Sequence, residues 1–107
     1  METMTMKYQL VLQLPAASIK DYDDMIELEE TIAKRIGELG EVDGHDMGSG
    51  ETNIFIHTNS PNAVFDRIKA HLGTKDFLPD MKVAYREIGQ ETFTIIHPDN
   101  LEHFSIK

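Results

Sequence analysis

Cysteine and tryptophan are both missing from this chain of 107 residues. The first absence removes structural disulfides, thiolate zinc sites and cysteine nucleophiles together. Positive charge is scarce as well: ten Lys and Arg stand against 19 Asp and Glu, a formal net charge of -9. Phosphate backbones and anionic lipid surfaces are held by cationic side chains, so neither nucleic acid nor a membrane is an expected partner. No apolar run approaches the roughly 20 residues that a spanning helix needs. The opening METMTMKYQLVLQL has no basic segment ahead of its apolar run, and that run alternates as a strand does, so it does not read as a secretory signal. A reducing cytoplasm fits this composition.

What remains is ordinary for a globular domain, 40% apolar and 27% charged, and the length suits one two-layer core. A single domain over 1–107 is expected. Tyr8, Leu10, Leu12 and Leu14 alternate with Gln9, Val11 and Gln13, the period of a strand that Pro15 ends. Ser18 to Asp21 has the form of a helix start, with an acid three residues after a Ser. Met25, Ile26, Ile32, Ala33, Ile36 and Leu39 then recur at helical steps, and Gly40 is expected to cap the helix. The acids Asp21, Asp23, Asp24 and Glu27 crowd the first turns, where they favour the helix dipole and read as a solvated face. Ser60-Pro61 opens a second helix, with Val64, Phe65, Ile68 and Leu72 on its apolar stripe and Gly73 at its end. Met81–Arg86 and Thr92–His97 read as strands around a turn at Ile88–Glu91, and the tail after Pro98 carries no assignable pattern.

The richest stretch is EVDGHDMGSGETNIFIHT, Glu41 to Thr58, a glycine-rich reversal between two strand-like runs that carries two of the five histidines. A three-residue loop of Gly48, Ser49 and Gly50 makes Met47 face Glu51. His45 then opposes Asn53, Asp43 opposes Phe55 and Glu41 opposes His57, with Val42, Ile54 and Ile56 on the other face. A two-residue loop at Ser49 and Gly50 would instead set His45 beside Ile54. Gly44 marks a kink or bulge. The order β, α, β, β, α, β with an extra C-terminal strand predicts an α+β, ferredoxin-like two-layer sandwich, its antiparallel sheet carrying both helices on one face. The opposite face, with Val11 and Phe55 among polar groups, is expected to be uncovered, and from this a homodimer is expected.

On that face Glu41, Asp43, His45, Asn53, Phe55 and His57 are the candidate ligand- or partner-binding residues. His45 and His57 invite a metal reading, but the expected register holds them about 13 Å apart at the usual strand rise. No HExxH or EF-hand spacing occurs either, so no metal and no cofactor is expected. Gly48-Ser49-Gly50 leads into a strand rather than a helix, unlike a phosphate cradle, and Ser49 has no nucleophile-elbow context. His57 beside Glu41 can serve as an acid-base pair, yet nothing in the sequence supplies an oxyanion or anion-binding element, so no catalytic residue is assigned. The reading is a non-catalytic binding or regulatory module that uses the open sheet face for dimerisation or for a protein or small-molecule partner. The alternatives are a small enzyme with a His/carboxylate site on that face, and an acidic inhibitor of immunity type that binds a basic protein.

Overall fold

In the computed structural model, which describes residues 6–19, 22–48, 50–74, 80–98, 100–104 and 106, strand β1 (Tyr8–Pro15) occupies the centre of the sheet. It pairs on one side with β3 (Glu51–Thr58) and on the other with β4 (Lys82–Glu87). β2 (Gly40–Gly48) lies outside β3 and β5 (Thr94–His97) outside β4, giving the order β2-β3-β1-β4-β5, antiparallel throughout and not closed. Helix α1 (Tyr22–Ile36) connects β1 to β2, and α2 (Pro61–Thr74) connects β3 to β4. Among the described residues no helix is long and apolar enough to cross a membrane.

Period-two alternation puts Leu10, Leu12 and Leu14 on the side of β1 that meets the helices, where they join Ile54, Ile56 and Val83 from the neighbouring strands. Met25, Leu28, Ile32 and Ile36 from α1, with Val64, Phe65 and Ile68 from α2, complete one buried cluster. Each such side chain contributes about 1.5–3 kcal/mol on burial, which makes this layer the main source of stability. Leu28 joins the buried stripe of α1, whereas Ala33, which the sequence pattern assigns to that stripe, is exposed. Tyr85 packs against this cluster and meets Tyr8 edge-on, with ring centroids 5.4 Å apart.

The end of α1 departs from expectation. Gly37, not Gly40, adopts the left-handed conformation at φ +54, and a 3-10 turn over Gly37–Leu39 leads into β2. Gly40 is extended and already pairs with Thr58. Its glycine identity has a different cause: a Cβ there would lie 2.8 Å from the His57 carbonyl oxygen. The expected cap at Ser18 to Asp21 falls partly outside the described residues, and α1 begins at Tyr22.

The sheet face away from the helices is organised in rows that cross the strands. Glu41, His57, Gln9 and Arg86 form one row and Asp46, Asn53, Gln13 and Lys82 another. Between them run Gly44, Phe55, Val11, Ala84 and Ile95. The expectation that Val11 would be left in water is corrected: Val11 and Ala84 are both 0% exposed, Gln13 3% and Asn53 1%. Polar side chains on this face bond to one another across strands, Arg86 Nε donating to Gln9 Oε1 at 2.9 Å and Gln13 Nε2 to Asn53 Oδ1 at 3.0 Å. Buried amides need such partners, since an unmet donor costs about 1–3 kcal/mol. Arg86 also lies over the Phe93 ring, which packs on Phe104, so the chain around and beyond β5 adds aromatic mass beside β4. At the β2–β3 corner of the face an aromatic ring, Phe55, is half-buried among polar side chains.

Candidate functional site

The hairpin turn decides what this corner presents. Gly48 pairs with Glu51, leaving a two-residue loop in which Gly50 has φ +80, so the three-residue loop expected from the sequence is corrected. Asp46 then faces Asn53, His45 faces Ile54 and Met47 faces Thr52. Farther out the pairing is the one expected, Val42 with Ile56 and Glu41 with His57. Both hold because Asp43 is an extra residue, bulged out between Val42 and Gly44. Gly44 allows it with φ +134, a conformation essentially closed to other residues. The bulge expected at Gly44 is present, and it reverses the faces of everything between it and the turn.

The candidate residues are therefore divided. Glu41, Asp43, Phe55 and His57 share the corner, with Asp43 Oδ2 3.6 Å from His57 Nε2. Asn53 lies on the same face but is buried against Gln13. His45 leaves the set, and this corrects the expected facing of His45 and Asn53: it turns to the helix side, where Nδ1 meets Glu29 Oε1 at 2.6 Å and the ring stacks obliquely on Tyr22 with centroids 5.8 Å apart. Asp46 takes its place opposite Asn53. The sequence contained the signal for this exchange, since the two-residue loop predicts both partners. It held no sign of Glu29, which is 16 residues away in the chain.

Chemically, the corner is a half-exposed imidazole beside an exposed carboxylate. A separation of 3.6 Å exceeds a hydrogen bond, and ion pairs at this exposure contribute about 0–1 kcal/mol. The arrangement can orient His57 and offer an acceptor and a negative charge around Phe55. Among the described residues no three His, Asp or Glu side chains gather in a metal-binding group. Ser49, considered as a nucleophile, lies outside the described residues. A shallow cleft of about 160 Å³ opens elsewhere, at the far end of the sheet between Pro15, Glu51, Asp80 and Lys82. It is small beside the roughly 300–1,000 Å³ usual for ligand pockets.

The His45–Glu29 bond ties the edge strand to α1 with both side chains largely buried. Glu29→Gln is expected to cost about 1 kcal/mol by weakening a charge-assisted bond while keeping its shape. Adding His45→Ala to that variant should cost less than His45→Ala alone, because the two residues act as one pair. Urea unfolding midpoints of the four proteins measure this, and strictly additive losses would show the two residues to be uncoupled.

Comparison of the chain with protein-family models, with curated proteins and with solved structures returns no match, so its function is argued from this geometry alone.

Proposed function

We propose that this domain is a non-catalytic binding or regulatory module that meets its partner through the β2–β3 hairpin. The observation that carries the reading is Phe55, a half-buried ring beside the sealed Val11 and framed by Glu41, Asp43 and His57. An aromatic anchor with fixed donors and acceptors at its rim, mounted on strands rather than on a mobile loop, is the usual make-up of a contact surface. We read the architecture as ferredoxin-like with one added edge strand. That reading is supported by the adjacency of β2, β3, β1 and β4 and by the two helical crossovers. A cytoplasmic setting belongs to the same reading and rests on the cysteine-free composition.

Dimerisation through the face is the weaker form of this proposal, because burial of Val11 inside one copy leaves Phe55 as its main apolar contribution. An acid-base enzyme is favoured by one observation, the Asp43–His57 contact, and among the described residues no element stands beside that pair to hold a developing negative charge. Amide shifts of the labelled protein, followed against candidate partner proteins, test the proposal. Shifts at Glu41, Asp43, Phe55 and His57 that Phe55→Asp abolishes are expected. Shifts confined to the acidic face of α1 around Asp23 to Glu30, with the hairpin silent, would refute it and promote the acidic-inhibitor alternative. Sedimentation at micromolar concentration decides the dimer, which Phe55→Asp should dissociate.

A further inference from the structure

β2 is an edge strand. Among the described residues it pairs only with β3 and no other backbone hydrogen bond reaches it, which leaves alternate amides and carbonyls along its outer side without a backbone partner there. The run from Gly44 to Gly48, between bulge and turn, is uninterrupted and about 16 Å long at the usual rise per residue. Its two sides differ. Asp46 projects on the open face, with Asp43 and Glu41 following along the strand. On the helix side lie His45 and Met47, and Tyr22 packs against His45. Met47 is 44% exposed and Tyr22 62%, two of the four large apolar side chains exposed among the described residues.

Charge is concentrated on the same edge. The segment 22–48, which is α1 and β2, contains nine acids (Asp23, Asp24, Glu27, Glu29, Glu30, Glu38, Glu41, Asp43 and Asp46) against Lys34 and Arg35, or -7 of the formal -9. We infer that the outer edge of β2 takes an extended basic segment of a partner protein as an added strand. Its residues alternate, basic ones toward Asp46 and Asp43 and apolar ones toward Tyr22 and Met47. The inference rests on the binding reading of the hairpin and names its partner's chemistry. Strand addition draws affinity from main-chain bonds and selectivity from alternate side chains, and both halves of that description are present here.

Two other accounts of the edge fit less well. A second copy pairing β2 with β2 would bring Asp43 and Asp46 against acids of the same strand, and like charges across a ladder destabilise it. Simple protection against aggregation explains the bulge and the acids, but a protected edge does not keep a thioether and a phenol ring exposed on its other side. The acids exclude self-pairing, while the apolar pair and the free backbone remain to be covered.

The test uses the full chain, isotopically labelled, and a blocked peptide of alternating lysine and valine. Shifts and slowed amide exchange are expected across Gly44 to Gly48, together with shifts at Tyr22. A control peptide methylated on alternate backbone nitrogens should fail to bind. Asp46→Lys and Met47→Asp, both at exposed positions, should each weaken binding by about tenfold while the thermal midpoint stays within a few degrees of wild type. Equal binding of the methylated peptide would reduce the interaction to charge alone and overturn the inference. Protection of the same amides without peptide, with a dimer in sedimentation, would overturn it in favour of a second copy. Shifts at Phe55 and His57 with the outer edge silent would overturn the added strand and leave the hairpin-face reading intact. Peptide binding confined to the acids of α1, with nothing between Gly40 and Thr58 responding, would overturn both.

Discussion

Leu12→Ala is expected to remove about 3–4 kcal/mol of folding stability, the cost of deleting a fully buried leucine whose surroundings relax only in part. Leu12 has no exposed surface and sits at the middle of the central strand, between Ile54 on β3 and Val83 on β4, under the layer formed by both helices. Its strand neighbours Ile54 and Val83 are held in place by their ladders with β1. Small domains have about 5–15 kcal/mol in total, so the variant should fold with a thermal midpoint lower by roughly 15 °C or more. Calorimetry or guanidinium unfolding measures this. A loss under about 1 kcal/mol would show that the core is loosely packed at its centre.

Gly44→Val is expected to cost about 1–3 kcal/mol for a different reason. Nothing lies within 4 Å of an added Cβ, so the penalty is conformational rather than steric contact with neighbours: φ is +134, where side chains with a branched Cβ are least tolerated. Straightening the strand does not relieve it. With Asp43 retained, a regular ladder would slip one residue, moving either Val42 off Ile56 or His45 off the Glu29 side. Deleting Asp43 removes the extra residue and keeps every other pair between Glu41 and Gly48, and position 44 then becomes an ordinary strand site where valine is favoured. The double change should therefore recover most of the loss. Denaturant midpoints at constant slope provide the measurement. Failure of the deletion to rescue the valine would show that the bulge is not the origin of the cost.

The pattern of apolar residues was enough to place the elements. Alternation at Leu10, Leu12 and Leu14, the helical stripe through Met25, Ile32 and Ile36, and Pro61 after Ser60 each state a local conformation in a few neighbouring residues, and the structure has β1, α1 and α2 there. The hairpin between Glu41 and Thr58 was legible for the same reason. So was the bulge, since a glycine inside a strand adds no side chain to the packing and commonly marks a break in the ladder. The corner formed by Glu41, Asp43, Phe55 and His57 follows from that local reading.

The face of His45 does not. A three-residue loop with no bulge and a two-residue turn with one both keep Val42 on the side of Ile54 and Ile56, and only the second sends His45 to Glu29. The burial of Val11 was equally out of reach, because it depends on what Phe55, Ala84 and the cross-strand bonds of Gln9 and Gln13 close around it. Helix stripes and strand alternation are set by residues a few positions apart, whereas register and face are set by a single backbone torsion at Gly44 and by partners on other elements. The amino-acid sequence by itself determined the elements, their order and the acidity of the α1–β2 edge. Which side chains that edge presents was decided only when the chain folded, since a one-residue bulge exchanges the two faces of a strand.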